Sequence, residues 1–334
     1  MSARRAAVIG AGTIGLGWAG IFAGHGWDVA VFDPRDGLDA ALDDAAAEAA
    51  GALTAAGREV STQQVRERLA VAGSLEEAAE GAEHVQESGP EELGWKRRTF
   101  AQLEAATGPG TVLATSSSFI TSSEISRDNL EQGRMLVGHP FNPVLVLPLV
   151  EVVGGPNTLP ETVEAAVETY RAVGKHPVVV GAEVQGFIGN RLQFVLLAEA
   201  LHLVEQGVAT PEEIDEVVRT SLGPRWAALG PLRASSMGGA RGMTGLFELL
   251  SPELEKLQPG LPDLSTQIRT TGVVDAAYGD NQPTRRRSPG ACGAPCPTTD
   301  APRIEERTRA RTLPHRGRTR GETLPVFPWE VSTG

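Results

Sequence analysis

Ala6 to Pro34, AAVIGAGTIGLGWAGIFAGHGWDVAVFDP, is the stretch whose reading decides the fold. Ala6-Ala7-Val8-Ile9 is a short apolar run of the length expected for a buried parallel strand. Gly10-Ala11-Gly12-Thr13-Ile14-Gly15 follows at once and fits G-x-G-x-x-G. Gly10 permits the tight turn, Gly12 lets a pyrophosphate approach the backbone, and Gly15 lets the next helix pack against the strand. That helix is predicted from about Thr13 to Gly24, its first N–H groups, those of Thr13 and Ile14 among them, facing the phosphates. Asp28 to Phe32 reads as a second strand, with Asp33 at its carboxyl end. A carboxylate there accepts hydrogen bonds from the adenosine ribose and repels a 2′-phosphate, which predicts NAD rather than NADP.

Outward from this unit, apolar strand candidates alternate with helical patterns. The strands fall at 69–72, 84–88, 111–115, 135–138, 147–153 and 176–180; the helices fall at 36–57, 60–69, 74–81, 90–106 and 161–173. This alternation indicates an α/β fold, a Rossmann-type doubly wound parallel sheet. From Gln185 the pattern becomes helical, with helices over Gly186–Glu205 and Pro211–Thr220, so a smaller all-helical domain is expected to follow. The expected division is an NAD-binding domain over 1–184, a helical domain over 185–282, and an anomalous tail over 283–334. Residues 284–320 hold ten Arg, no Lys and both cysteines, Cys292 and Cys296. Residues 1–256 carry 19 basic and 34 acidic side chains, a balance of −15, whereas 257–334 carry 11 and 8, a balance of +3. Such a tail reads as a disordered extension, of the composition that out-of-frame translation of a GC-rich gene produces, or else as a basic interaction segment.

At 334 residues with 41% hydrophobic content, the chain is long enough for two packed domains. Its net charge of −12 argues against nucleic-acid or membrane-surface partners. No targeting leader, membrane span, disulfide framework or metal site is expected, and the compartment is read as cytoplasmic.

In an open α/β sheet, ligands sit beyond the carboxyl ends of the strands. Ser117, within Ser116-Ser117-Ser118, follows one strand, and His139, within His139-Pro140-Phe141-Asn142-Pro143, follows another. Glu151 stands beyond that Pro-rich loop, where it would orient His139, and Asn190 opens the first helix after 185. Each has a structural alternative: a loop histidine, a surface acid, a capping asparagine, or Ser116 or Ser118 as the active hydroxyl.

The chain resembles the 3-hydroxyacyl-CoA dehydrogenase superfamily, nearest its lambda-crystallin/L-gulonate 3-dehydrogenase and L-carnitine dehydrogenase branch. The resemblance rests on the fingerprint stretch together with VQESGPEELGWKRRTFAQLE (85–104), ATSSSF (114–119), GHPFNPVLVLPLVEVV (138–153), GKHPVVV (174–180), EVQGFIGNRLQ (183–193) and GPRWAALGPL (223–232). It implies NAD-dependent oxidation of a 3-hydroxyl, with no metal. His139 would be the general base, a task suited to a side chain that titrates near neutrality in water. Glu151 would orient it, Ser117 and Asn190 would hold the substrate oxygen, and Glu91 and Lys96 would contact the nicotinamide half of NAD. The resemblance also implies a homodimer if the C-terminal region is intact.

For substrate, the acids Asp39, Asp43, Asp44 and Glu48 after the second strand disfavour the phosphates of coenzyme A. A small free 3-hydroxy acid is the expectation, L-carnitine or L-gulonate among the candidates, with a 3-hydroxyacyl-CoA as the alternative. Carnitine's trimethylammonium group would favour an aromatic face, for which Phe119, Phe141 and Trp226 are available. Arg225 and Trp226 are also candidates to contact a substrate carboxylate or cation. The non-enzymatic alternative is an NAD-binding structural protein of the crystallin kind.

Overall fold

The structure is a computed structural model describing residues 4–237 together with Met243, Thr244, Leu246 and Leu250. Every described residue lies in the unit spanning Met1–Gly279. The tail over 283–334 and the end of the expected helical domain fall outside the described residues.

Strand β1 (Arg5–Ile9) leads through the glycine turn into α1 (Thr13–Gly24) and β2 (Asp28–Phe32). There follow α2 (Leu38–Ala55), α3 (Thr62–Arg66), β3 (Leu69–Val71), α4 (Leu75–Ala79), β4 (His84–Glu87), α5 (Leu93–Ala106) and β5 (Val112–Thr115). Next come α6 (Ser122–Ile125), β6 (Met135–Pro140), β7 (Leu149–Gly154), α7 (Pro160–Ala172) and β8 (His176–Val180). After β8 the elements among the described residues are helices: α8 (Gly189–Glu205), α9 (Pro211–Val217), α10 (Gly223–Leu229) and α11 (Pro231–Ser236). Polar caps begin several helices where the sequence supplies them. Ser61 and Thr210 each form a reciprocal capping box, and the Glu92 carboxylate accepts from Gly94 and Trp95 at the start of α5.

The eight strands form one sheet in the order β3-β2-β1-β4-β5-β6-β7-β8. Chain order reverses between β1 and β4, and the crevice at their carboxyl ends is the switch point at which ligands bind. Alternation along the strands covers both faces. Ala6, Val8, Val29, Val31 and Leu136 point into one core with Trp18, Phe22 and Tyr170; Ala7, Ile9, Val85, Leu113 and Met135 point into the other with Phe100 and Leu103.

One pairing departs from the parallel sheet expected. Strand β7 runs antiparallel to β6. Only the loop over 141–148 joins them, which is too short for the crossover a parallel pair requires, so the chain doubles back. The expected long helix of the helical region begins at Gly189 rather than Gly186, after Gly186 and Phe187 adopt φ of 75° and 48°. Left-handed backbone at a bulky residue is uncommon, and here Phe187 is held wholly buried against the His139 ring. Of the apolar side chains on α8, Leu192 and Val195 are exposed, while Ala198 and Leu201 are buried.

Candidate active site

The glycine turn after β1 has the geometry of a phosphate cradle. A Cβ at Gly15 would sit 1.8 Å from the Gly10 carbonyl oxygen, so only glycine allows α1 to pack this close. A Cβ at Gly12 would meet nothing within 4 Å, which leaves open space beside the backbone. No side chain caps the N-terminus of the 12-residue helix α1, so its first N–H groups, beginning at the exposed Thr13 and half-buried Ile14, remain available. Asp33 stands at the end of β2, where its Oδ2 accepts from the Ala11 N–H at 2.7 Å and its Oδ1 from the Arg35 N–H at 3.0 Å. The carboxylate therefore braces the turn as well as facing the crevice. An uncapped helix start, an open glycine and an acid in this arrangement fit the diphosphate and ribose of a dinucleotide.

The β4–α5 and β5 ends form a second cluster. Lys96 is buried, and its ammonium lies 3.0 and 2.9 Å from the two Glu87 oxygens and 3.4 Å from the Thr115 hydroxyl. Thr115 in turn donates to Glu87 at 2.6 Å. Glu91 stands 3.6 Å from the same ammonium, nearer the surface. The structure thus places Lys96 behind Glu91 rather than on the surface of the crevice, because the buried Glu87 carboxylate needs its cation. Glu87 and Thr115, which the sequence analysis did not single out, complete this cluster.

The Glu91 Oε1 accepts from the Ser117 hydroxyl at 2.6 Å and from the N–H groups of Ser118 and Phe119 at 3.1 and 3.0 Å. Burial pushes the Glu91 carboxyl up, but the Ser117 hydrogen bond, Lys96 and the Phe119 and Ile120 N–H groups outweigh it and leave it below its ordinary value. Of the three consecutive serines, Ser117 is buried on Glu91, whereas the Ser116 hydroxyl contacts Ser88 and Gln86.

The third cluster follows from the reversal of β7. Antiparallel register sets His139 directly opposite Glu151. The His139 Nδ1 lies 2.9 Å from Glu151 Oε2, both side chains being buried. A carboxylate can only accept, so Nδ1 carries a proton, and in the neutral imidazole Nε2 presents the lone pair. The other carboxylate oxygen, Oε1, accepts from the N–H groups of Ile188 and Gly189 at 2.9 and 3.0 Å, at the start of α8. Burial pushes the Glu151 carboxyl up, yet the bonds from His139, Gly189 and Ile188 bring it below its ordinary value. Phe141 and Phe187 flank the imidazole with ring centroids 5.1 and 5.4 Å away. Asn190, in the first turn of α8, donates from Nδ2 to the Ser118 carbonyl at 3.1 Å. One helical turn therefore touches both the His139–Glu151 pair and the Ser117 loop.

The geometry joins Ser117 to Glu91, Glu91 to Lys96, Glu151 to His139 and Asn190 to the serine loop. Two of the exposed acids of α2 have a basic partner. Arg66 pairs with Asp39 at 2.6 Å and with Asp43 at 2.5 Å. Arg225 is exposed on α10 and Trp226 half-buried. Among the described residues, no group of three or more His, Cys, Asp or Glu side chains is placed to hold a metal ion, and no helix is long and apolar enough to cross a membrane.

Comparison with known proteins bears on this arrangement. The family described as 3-hydroxyacyl-CoA dehydrogenase, NAD binding domain, matches residues 5–184, and the 3-hydroxyacyl-CoA dehydrogenase C-terminal domain matches residues 186–262. The chain belongs to the 3-hydroxyacyl-CoA dehydrogenase family. It is 43% identical over 252 residues to an L-carnitine dehydrogenase of Streptomyces griseus, covering 75% of each chain. To the L-carnitine dehydrogenase of Pseudomonas aeruginosa it is 42% identical, over 75% of this chain and 77% of that one. To a 3-hydroxyacyl-CoA dehydrogenase of Gibberella moniliformis it is 38% identical, over 77% and 78% of the two chains. Among solved structures, an NAD+-dependent dismutase, 5-formyl-3-hydroxy-2-methylpyridine 4-carboxylic acid 5-dehydrogenase, superposes with TM-score 0.66 at 27% identity, over 83% of this chain and 98% of that one. The 3-hydroxybutyryl-CoA dehydrogenase of Escherichia coli superposes with TM-score 0.64 at 27% identity, over 89% of this chain and 63% of that one. The protein is an NAD-dependent oxidoreductase of this family, its Rossmann-type sheet followed by helices.

Proposed function

We propose that the protein oxidises the 3-hydroxyl of a small free hydroxy acid of the L-carnitine or L-gulonate type to the 3-keto acid, with His139 as general base. The observation that carries this reading is the buried His139–Glu151 pair, 2.9 Å long, with the second carboxylate oxygen fixed by two backbone N–H groups. Bound NAD supplies the hydride acceptor. His139 Nε2 takes the hydroxyl proton, while Nδ1–H stays on Glu151, whose negative charge favours the imidazolium that forms. Ser117 and Asn190 hydrogen-bond the substrate oxygen, the Ser117 hydroxyl turning from Glu91 to do so. Gly10, Gly12, Thr13, Ile14 and Gly15 hold the diphosphate, Asp33 the adenosine ribose, and Glu91 and Lys96 the nicotinamide half.

The named activities of the Streptomyces and Pseudomonas relatives favour L-carnitine. An aromatic face for its trimethylammonium group is offered by Phe119, exposed beside Ser118, and Phe194, with ring centroids 5.9 Å apart. A 3-hydroxyacyl-CoA is the second reading. It is favoured by the name of the Gibberella relative and by Arg66, which offsets part of the acidic charge of α2. NADH formation with L-carnitine, L-gulonate, 3-hydroxybutyrate and 3-hydroxybutyryl-CoA separates the readings, with His139→Ala as control. Turnover of a free acid, abolished in the variant, is expected. Turnover of the CoA ester alone refutes the free-acid reading, and NAD binding without any turnover indicates a structural role.

We also propose a cytoplasmic homodimer, with the division into an NAD-binding domain over 1–184 and a helical domain over 185–282. The exposed apolar side chains Leu192, Val195, Leu196 and Leu197 on α8 support a subunit interface there. Molar mass by light scattering tests it.

A further inference from the structure

Beneath the two strand ends that carry Ser117 and His139 lies a buried polar chain that proton transfer does not use. His84, Gln86 and Tyr170 are fully buried. The Gln86 Nε2 lies 2.8 Å from the Ser116 hydroxyl and 3.3 Å from the Gly138 carbonyl. Its Oε1 lies 2.8 Å from the Tyr170 hydroxyl and 3.1 Å from His84 Nε2. Ser116 Oγ continues to Ser88 Oγ at 2.9 Å.

The chemistry of these groups gives the chain a direction. The Gly138 carbonyl only accepts, so the Gln86 NH2 faces it and faces Ser116 as well. The Gln86 oxygen then receives both the Tyr170 O–H and the His84 Nε2–H. That leaves His84 Nδ1 without a hydrogen, in keeping with its lack of a partner and with burial that pulls this imidazole down to about 4, so that it stays neutral. Ser116 accepts from Gln86, and among the described residues its hydroxyl has one further partner, Ser88. Either hydroxyl can donate in the Ser88–Ser116 pair, and both are half-buried at the end of the chain. With Ser116 donating, Ser88 accepts and its own proton is left to point out of the chain.

That proton emerges at the cofactor crevice. Ser88 follows β4, which pairs with β1 at the switch point. A Cβ on Gly10 would lie 2.8 Å from the Ser88 backbone, and one on Gly15 would lie 3.4 Å from the Ser88 Cβ, so Ser88 stands directly over the glycine turn. Phosphate and ribose oxygens are the acceptors a dinucleotide brings to such a turn.

We propose that the Ser88 hydroxyl donates a hydrogen bond to the sugar–diphosphate part of bound NAD, and that Gln86, through Ser116, is the positioning residue that aims it. The inference uses the cofactor alone and does not depend on which substrate is oxidised.

The test is equilibrium binding to the full-length protein, by calorimetry, with NAD and with ADP-ribose, which has the sugars and phosphates but no nicotinamide. Ser88→Ala is expected to weaken both about three- to tenfold, the worth of one neutral hydrogen bond. Ser116→Ala leaves Ser88 in place but unaimed; it is expected to weaken both by a smaller factor and to add little on top of Ser88→Ala. Ser116→Ala is preferred to a Gln86 substitution because it leaves the His84, Tyr170 and Gly138 partners of Gln86 intact. Unchanged affinity in Ser88→Ala overturns the proposal. Weakening for NAD but not ADP-ribose overturns the sugar–diphosphate assignment, and losses that multiply in the double variant overturn the aiming role.

Discussion

Glu151→Gln is the substitution that tests the proposed base most sharply, because it changes charge while keeping shape. A glutamine at this position has one oxygen and one NH2 to divide between two sides. One side offers the N–H groups of Ile188 and Gly189 at 2.9 and 3.0 Å; the other offers His139 Nδ1 at 2.9 Å. With the amide oxygen toward the backbone, both N–H groups stay satisfied. The reverse orientation sets the NH2 against two part-buried donors, each costing up to about 1–3 kcal/mol when unpaired. The first orientation therefore prevails by about 2 kcal/mol or more. Its NH2 then faces His139 Nδ1, which must become the acceptor, and the imidazole proton moves to Nε2. The lone pair that takes the substrate proton is gone. The expected result is a fall in kcat of about 10²–10⁴-fold, the usual worth of a positioned general base. Affinity for NAD should be unchanged. Glu151→Ala supplies the contrast: it leaves the two backbone groups unpaired and lowers stability more, but it frees the imidazole to keep a basic Nε2. Turnover should therefore be lower in the glutamine variant than in the alanine variant. Steady-state rates on the accepted substrate, NAD titration by calorimetry and thermal melts give the three quantities. A glutamine variant within about tenfold of the parent kcat, with normal NAD binding, would refute the reasoning.

Three further expectations follow from the geometry. Gly15→Ala places a Cβ 1.8 Å from the Gly10 oxygen, so the turn must open; NAD affinity should fall at least tenfold and stability by about 1–3 kcal/mol, read by titration and thermal melt. Lys96→Met strands the buried Glu87 carboxylate and should cost about 3–5 kcal/mol in urea unfolding, most of it recovered by adding Glu87→Gln; no recovery would show that the pair is not what the lysine stabilises. His84 binds protons more weakly folded, at about 4, than unfolded, at about 6.5, so its contribution is complete above about pH 6.5 and lost as pH falls toward 4. That loss is about 2–4 kcal/mol, and His84→Phe, although less stable at neutral pH, should show a flatter dependence across this window in urea titrations.

Much of this arrangement was legible along the chain. The strand, glycine turn, helix and terminal acid of residues 6–33 are local features, and their roles follow from the absence of a Cβ and the orphan N–H groups of a helix start. The eight strands were visible as short apolar runs, and Ser117 and His139 as polar residues at their ends. Harder to see was anything that depended on which groups lose water. Lys96 read as a cation at the cofactor; its pairing with Glu87, an ordinary acid in sequence, follows from the burial of Glu87 at the end of β4, which requires a counter-charge. On α8 the apolar side chains Leu192 and Val195 are exposed while Ala198 and Leu201 are buried, since periodicity marks a face without saying what covers it. Nothing in the local sequence marks the role of Gln86, whose four hydrogen-bond partners come from positions 84, 116, 138 and 170.

What the chain determined by itself, then, is the dinucleotide turn and the set of strands, because both are written in neighbouring residues. The direction of β7 was decided only in three dimensions. The loop over 141–148 is too short to cross the sheet, the strand returns antiparallel, and the register that results sets Glu151 against His139. A parallel strand in the same place would carry the same residues past one another without that pairing. Whether two side chains twelve positions apart become an oriented imidazole is settled by strand direction and register, which no local pattern encodes.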